Sequence, residues 1–99
     1  MNKQFVCKIS DLKDKVGFRF ETEEIAIFKI ENEFFAVSNI CAHQKFAKIF
    51  EGECKDFSVT CPMHHWKFDL RSGNSLSGNG KLKTFPVVVE DNKIFIELE

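Results

Sequence analysis

Two short motifs in this sequence each place a cysteine close to a histidine: Cys41-x-His43 and Cys61-x-x-His64. Seventeen residues separate His43 from Cys61, so the motifs lie on two different segments. Zinc fingers usually pair cysteine with cysteine and histidine with histidine. Mixed pairs suit a different centre, a [2Fe–2S] cluster in which two thiolates bind one iron and two imidazoles bind the other. The motifs therefore predict an iron–sulfur site.

Two other kinds of site use the same residue types. A zinc-binding interaction module could use two cysteines and two histidines, and it would be colourless, whereas an iron–sulfur protein is coloured. A cysteine nucleophile would need one activated thiol, a base and an oxyanion site. The presence of two cysteine–histidine pairs disfavours a nucleophilic enzyme, because such an enzyme needs only one pair.

Length and charge narrow the classes of function. The chain has 99 residues, enough for one domain, and a net charge of −1, which argues against general nucleic-acid binding. Its N-terminus lacks the pattern of a signal peptide or a twin arginine, and its apolar runs are far shorter than a membrane span. We therefore expect a cytoplasmic protein that contacts neither nucleic acid nor membrane.

The chain has two further cysteines outside the motifs, Cys7 and Cys54. Cytosolic cysteines are more often ligands or thiols than disulfides. Cys7 falls in an alternating apolar stretch and is expected to be a small buried side chain, while Cys54 is expected to be a solvated or half-buried thiol. A four-cysteine cluster is a weaker alternative, because no Cys-x-x-Cys pair is present.

Short alternating runs rich in Phe, Val and Ile predict a mostly β chain. We expect Phe5, Cys7 and Ile9 to share one face of the first strand, and Pro86 to start a strand or lie on an edge. The expected strands are Gln4–Ile9, Val16–Phe20, Ile25–Ile30, Phe34–Val37, Phe57–Thr60, His65–Phe68, Phe85–Glu90 and Lys93–Leu98. Hairpin turns are expected at 31–33 and 91–92, and a brief helix is possible only at 42–50.

The second motif continues as Cys61-Pro-x-His64-x-Trp66-x-Phe68-Asp69, and with Cys41-x-His43 it resembles the Rieske ferredoxin family. The segments 25–40 and 82–98 resemble the strands on either side of that family's cluster loops. The resemblance implies an all-β sandwich of small antiparallel sheets with two cluster-binding loops at one end. It implies one domain, 1–99, with base strands at about 1–39 and 75–99 and a cluster-binding part at about 40–74.

The resemblance also implies which atoms bind iron. Cys41 and Cys61 would hold one iron as thiolates, and His43 and His64 would hold the other through imidazole nitrogens. Two neutral imidazoles in place of two thiolates remove two negative charges, so the cluster takes up an electron more readily. The imidazoles would lie nearest the surface and give that electron a short exit.

Two departures from the family's high-potential members predict a low potential. Those members carry Ser and Tyr where this chain has Trp66 and Phe68, and the chain contains no Tyr at all. The positions of their loop disulfide correspond to Phe46 and Met63, which cannot form one. With fewer hydrogen bonds to the sulfurs, we expect a midpoint of roughly −150 to −50 mV.

Other residues beside the motifs have open roles. His65 stands where most family members have Gly, and it is either a surface imidazole, a docking residue or an alternative ligand to His64. Lys45, Lys48 and Lys67 form either a solvated face or a positive rim that steers an acidic partner. Phe46, Ile49 and Phe50 would cover either the cluster or the core beneath it.

The function implied by the resemblance is electron transfer, not catalysis. The chain would take one electron from a flavin reductase and pass it to a terminal oxygenase or reductase, often an aromatic-ring dioxygenase. We expect no appended catalytic domain in 99 residues. The alternative is a cluster-bearing small subunit of a nitrite-reductase-like complex, and the oligomeric state stays open.

Overall fold

The computed structural model of the protein describes residues 2–40, 49–62, 66–76 and 80–98. Within these ranges the secondary structure consists of short strands and two turns of 3-10 helix, at Ile9–Asp11 and Ile49–Glu51. None of the helical turns described there is long or apolar enough to span a membrane. The strands are β1 Asn2–Lys8, β2 Phe18–Phe20, β3 Ile25–Ile30, β4 Glu33–Ser38, β5 Glu53–Lys55, β6 Ser58–Thr60, β7 Lys67–Asp69, β8 Thr84–Phe85, β9 Val87–Glu90 and β10 Lys93–Leu98.

The strands form three small antiparallel sheets, so the predicted all-β sandwich is confirmed. Their orders are β1-β10-β9, β2-β3-β4-β8 and β5-β6-β7. The first two sheets combine strands from both ends of the chain. The third sheet is built only from residues between 53 and 69, the part of the chain that contains the second cysteine–histidine motif. The predicted division of the domain near residues 40 and 75 stays a prediction.

Strand β3 lies between two apolar cores, which explains its almost unbroken apolar sequence. Side chains of successive strand residues point to opposite faces. Ile25 and Ile27 pack into one core with Ile94 and Ile96, whereas Phe28 packs into the other. That other core joins β3 and β4 to the third sheet and contains Ala26, Phe28, Ile30, Val37, Ile49, Val59, Cys61, Phe68, Leu70 and Leu82.

Two hairpin turns predicted from the sequence are confirmed. Glu31 and Asn32 join β3 to β4 with φ angles of 49° and 70°, and Asp91 and Asn92 join β9 to β10 with φ angles of 52° and 63°. Two central residues with positive φ make type I′ turns, whose twist matches the strands on either side. These turns fix the register of both hairpins, with Ile30 opposite Glu33 and Glu90 opposite Lys93.

The predicted common face of Phe5, Cys7 and Ile9 is wrong. The register of β1 against β10 shifts between Phe5 and Cys7, which marks a β-bulge. A bulge adds a residue to one strand and resets the alternation of its side chains. Val6 and Cys7 are therefore both buried, Phe5 is 44% exposed, and Ile9 has left the strand for a 3-10 turn.

The single strand predicted over 85–90 is also wrong, because Pro86 divides it. Phe85 belongs to β8, which pairs with β4, while β9 begins at Val87 and pairs with β10. Proline has no N–H for a ladder, so the chain changes sheets at this residue. The Pro86 carbonyl still accepts a 3.0 Å hydrogen bond from the N–H of Glu97. Its place directly before a strand agrees with the prediction for Pro86.

The third sheet departs from the prediction at its edges. Strand β5 was not predicted, and Phe57 lies in the turn before β6 instead of within a strand. Strand β7 begins at Lys67, and the part of the expected strand at His65 lies outside the described residues. Of the possible helix at 42–50, only Ile49 and Phe50 are described, in the second 3-10 turn.

Candidate metal centre

The second motif begins at Cys61, where the ladder between β6 and β7 stops and the chain enters the connection between the two strands. The ladder pairs Val59 with Phe68 and Thr60 with Lys67. One residue further on, the backbone N–H of Cys61 donates a 2.7 Å hydrogen bond to the carbonyl of Trp66. The hairpin is thus closed at Cys61 and Trp66, and His64 is one of the four residues between them in the sequence.

Cys61 itself is completely buried, at 0% exposure, in the core that joins β3 and β4 to the third sheet. Val59 and Phe68, both also at 0% exposure, belong to the same core. A cysteine whose backbone is held by a ladder and whose side chain is enclosed by apolar groups has little freedom to move. Strand pairing and core packing therefore fix the position of this proposed ligand.

The other predicted ligands, Cys41, His43 and His64, lie outside the described residues, as does His65. The structure does describe the two ends of the segment that carries the first motif. Strand β4 leads into Asn39 and Ile40 at one end, and Ile49 and Phe50 begin the 3-10 turn at the other. The contacts at these ends hold the described residues on either side of the first motif.

Asn39 joins both ends of the first segment. Its Oδ1 accepts a 2.8 Å hydrogen bond from the N–H of Phe50, and its carbonyl accepts a 3.2 Å hydrogen bond from the N–H of Ile49. Its Nδ2 donates to Oε1 of Glu24 at 3.1 Å, and its own N–H donates to the Glu24 carbonyl at 2.8 Å. Asn39 is at 0% exposure, the one buried polar side chain found among the described residues.

Arg19 holds Glu24 in place behind Asn39. Its Nε and Nη2 donate to the two carboxylate oxygens of Glu24 at 3.1 and 2.6 Å. This two-point contact, together with the hydrogen bond from Asn39, holds the pKa of the Glu24 carboxyl below its usual value. The Arg19 guanidinium also lies 5.6 Å from the centre of the Phe50 ring. Sequence reasoning singled out none of Arg19, Glu24 and Asn39.

At Gly52 the chain that follows the first motif comes close to Thr60, the residue before the second motif. A Cβ at Gly52 would lie 2.6 Å from the carbonyl oxygen of Thr60, and Thr60 directly precedes Cys61. The Gly52 N–H also donates a 2.8 Å hydrogen bond to the Ile49 carbonyl. The chain that returns from the first motif therefore packs directly on the strand that leads to the second.

The two other described cysteines occupy different places in the fold. Cys7 lies in the opposite core, with Ile94 and Ile96, and Cys54 packs at the edge of the core that contains Cys61. Burial raises the pKa of each thiol from 9.0 to about 11. Because Cys7 and Cys61 lie in different cores, their positions disfavour a single cluster bound by all four cysteines.

The donor set left by this argument fits a [2Fe–2S] group. Its described member, Cys61, is fixed at the end of a strand, and the two histidines in the motifs would supply the imidazoles. The aromatic residues after His64 have packing roles. Phe68 is wholly buried and Trp66 is half-buried against the same core. Ile49 is also wholly buried, which favours core packing for this member of the predicted covering group, while Phe46 lies outside the described residues.

The surface beside Cys61 carries acidic groups in its described part. A depression of about 350 Å³ is lined by Glu51, Glu53, Thr60, Cys61 and Pro62. Of the three lysines predicted to form a positive rim, Lys67 is the half-buried first residue of β7, and Lys45 and Lys48 lie outside the described residues. The positive rim stays a prediction.

Comparison with known proteins agrees with this reading of the motifs. Residues 2–88 match the profile of the Rieske [2Fe-2S] domain. The chain is 42% identical, over 97% of its length and 94% of the relative's, to the 3-phenylpropionate/cinnamic acid dioxygenase ferredoxin subunit of Photorhabdus laumondii.

Two solved structures have the same fold over the whole chain. A ferredoxin of Sphingomonas yanoikuyae B1 superposes with a TM-score of 0.89 at 25% identity, covering 99% of this chain and 100% of that one. A protein described as the small subunit of a nitrite reductase superposes with a TM-score of 0.88 at 27% identity, with the same coverage.

Proposed function

Because this chain belongs to the Rieske [2Fe-2S] domain family, we propose that it is an electron carrier that supplies a terminal oxygenase. The observation that carries the proposal is the full-length similarity, at 42% identity, to a dioxygenase ferredoxin subunit. A bound [2Fe–2S] group supplies reversible uptake of one electron. The protein itself holds that group, sets its potential and presents it to partners, and it performs no catalysis of its own.

Four residues would bind the irons. Cys41 and Cys61 would supply thiolates to one iron, and His43 and His64 would supply imidazole nitrogens to the other. Two observations support this assignment: the Cys61 side chain is fixed in the core, and the spacing of the two motifs fits that of the family. His64 rather than His65 is the proposed ligand, because the family motif places the histidine three residues after the second cysteine.

The expected partners are a flavin reductase as donor and a ring-hydroxylating dioxygenase as acceptor. The relative from Photorhabdus laumondii serves a dioxygenase of 3-phenylpropionate and cinnamic acid, so an oxygenase for an aromatic acid is the first acceptor to test. We propose a cytoplasmic location for this chain. Its electron would leave from the histidine-bound iron, which we expect to lie nearest the surface.

The first experiment is anaerobic purification with iron and sulfide analysis and electron paramagnetic resonance of the dithionite-reduced protein. About two irons and two sulfides per chain, with a rhombic signal of lower average g than an all-cysteine cluster, would support the proposed ligation. A colourless protein containing zinc would support the interaction-module alternative instead. Reduction of a purified oxygenase by the reduced chain then tests the acceptor.

A second candidate function is a cluster-bearing small subunit of a nitrite-reductase-like complex. The observation in its favour is the structural match to a nitrite reductase small subunit at 27% identity. Affinity purification of the chain from its native cells separates the two candidates. A stable complex with a large reductase subunit supports this alternative, whereas purification without one supports the separate carrier.

A further inference from the structure

We infer that Asn39 is a positioning residue for the cluster, one that holds the segment carrying Cys41 and His43 closed at both of its ends. Glu24 accepts a hydrogen bond from the Asn39 side chain, and Arg19 in turn holds Glu24. The inference rests on the proposed ligation by Cys41 and His43. It adds to that proposal a residue that binds no iron but determines how firmly two of the ligands are held.

The hydrogen bonds of Asn39 connect positions that are distant in the sequence but bracket the first motif. Asn39 stands two residues before Cys41. Its Oδ1 and its backbone carbonyl accept hydrogen bonds from Phe50 and Ile49, which follow the motif segment. Asn39 therefore closes the segment through one side-chain and one backbone hydrogen bond, although no strand ladder joins Asn39 to Ile49 or Phe50.

Both polar atoms of the Asn39 amide are hydrogen-bonded, and the residue is shielded from water. Its Oδ1 faces Phe50, its Nδ2 faces Glu24, and the residue is at 0% exposure. A buried backbone N–H that loses its acceptor carries the whole cost of its desolvation. Removal of the amide would therefore leave the N–H of Phe50 without this acceptor at the point where the segment rejoins the fold.

Glu24 sets the direction in which the Asn39 amide points. The carboxylate is itself fixed by the two hydrogen bonds from Arg19, and its Oε1 receives the Nδ2 group of Asn39. An acceptor on one side and a donor on the other allow only one orientation of the amide. The Arg19 guanidinium also lies beside the Phe50 ring, so Arg19 contacts both Glu24 and the residue whose N–H donates to the Asn39 side chain.

The cores of the fold do not depend on this side chain. The two apolar clusters are built from residues of the strands and turns, and Ile96 is a wholly buried member of the cluster away from Cys61. A loss confined to the Asn39 hydrogen bonds should therefore weaken cluster retention more than it weakens the fold. An Ile96→Val variant should do the opposite, because it removes a methylene from the distant core.

The experiment compares Asn39→Ala, Ile96→Val and the wild type, each purified with its cluster. The rate at which the visible absorbance is lost in excess iron chelator is measured beside the thermal midpoint. We expect the Asn39→Ala variant to lose the cluster about tenfold faster than the wild type, as seen when residues that support metal ligands are removed. The Ile96→Val variant should lose it at the wild-type rate even if its thermal midpoint is lower.

A second pair of variants addresses orientation and guards against a failure of Asn39→Ala to fold. Asn39→Asp keeps an acceptor for Phe50 but places a carboxylate against Glu24. Adding Glu24→Gln supplies a donor to this carboxylate, although it removes one of the two hydrogen bonds that Arg19 donates to residue 24. We expect fast cluster loss and a broadened electron paramagnetic resonance signal in the single variant, and partial recovery of both in the double variant.

The results separate this inference from the proposed function. If the wild type binds iron and sulfide but Asn39→Ala releases them no faster than Ile96→Val, the positioning role of Asn39 is wrong and the electron-carrier proposal stands. If Asn39→Asp and the double variant release them equally fast, the role assigned to Glu24 is wrong. A wild type without iron and sulfide would overturn the proposed function and this inference together.

Discussion

Gly17 lies so close to Phe50 that a Cβ at Gly17 would be 2.1 Å from the Phe50 carbonyl oxygen and 2.7 Å from its Cα. Contacts of this length are with backbone atoms, which cannot rotate away as a side chain does. The approach presses the residue just before β2 against the point where the first motif segment rejoins the fold. Gly17 and Asn39 thus contact Phe50 by independent means.

A Gly17→Ala substitution should weaken the packing of Phe50, the residue at which the first motif segment rejoins the fold. The added methyl group must displace the Phe50 backbone, and overpacking of this kind typically costs about 1–3 kcal/mol. We expect a lower thermal midpoint and a lower ratio of iron to protein after purification. Ser10→Ala, at an exposed position of the first 3-10 turn, is the matched control and should change neither quantity. Normal iron content in Gly17→Ala would show that the Phe50 contact does not affect the site.

Cys54, in the third sheet, and Cys61, just after its strand β6, should respond differently to the same substitution. Cys61→Ser replaces the proposed thiolate with a hydroxyl that binds iron poorly, so iron should fall from about two per chain to less than half of that. Cys54→Ser removes a half-buried thiol from β5, five residues before Val59 in the sequence and opposite it in the ladder. It should keep its iron and sulfide. Equal losses in both variants would contradict the assignment of Cys61.

Sequence patterns predicted this fold well where local chemistry decides the structure. The turns at Glu31-Asn32 and Asp91-Asn92 were recognisable because few residue pairs accept two positive φ angles. The chemistry-bearing motifs were recognisable by residue type and spacing alone. Sheet assignment was harder, because Pro86 marks a break in the ladder but nothing local indicates which strand pairs with each side of it.

The missed features depend on contacts between residues distant in the sequence. The bulge after Phe5 is set by pairing with β10, some ninety residues later, so alternation within β1 could not show it. Asn39 carries one sequence signal, a polar residue at the end of an apolar strand just before Cys41. Its partner Glu24 could not be inferred from that signal, since the pairing exists only once β3 and β4 are folded together.

Stability should decline at alkaline pH through the buried thiols. Burial raises the pKa of Cys7 and Cys54 from 9.0 to about 11, so the folded state holds their protons more tightly than the unfolded state. Their stabilising contribution is complete below pH 9.0 and is lost as the pH rises toward 11. Urea unfolding followed by the fluorescence of the single tryptophan, Trp66, measures the free energy of unfolding across this range.

The control for this prediction is the Cys7→Ala/Cys54→Ala double variant. It should be less stable than the wild type at neutral pH, because both substitutions remove packed atoms. Its free energy of unfolding should nevertheless fall less steeply than that of the wild type between pH 9.0 and about 11. Parallel curves for the two proteins would show that the thiols do not contribute to the alkaline decline.

The midpoint potential should lie near the bottom of the range for Rieske centres, at roughly −150 to −50 mV. High-potential members of the family carry hydroxyl donors at two positions, and the packing of this chain at both positions agrees with a low potential. Phe68 is wholly buried in the core and Trp66 packs at its edge, so both positions are filled by aromatic rings without a hydroxyl group. Protein film voltammetry measures the midpoint directly, and a value above zero would contradict the prediction.

The variant Trp66→Ser tests the physical cause of that low potential. A serine hydroxyl next to the hairpin closure could donate to a cluster sulfur, and such a bond stabilises the added negative charge of the reduced state. We expect the midpoint to rise in Trp66→Ser and to stay near the wild-type value in Trp66→Phe, which changes the ring but adds no donor. An equal rise in both variants would mean that solvent entering beside Cys61, and not a new hydrogen bond, controls the potential.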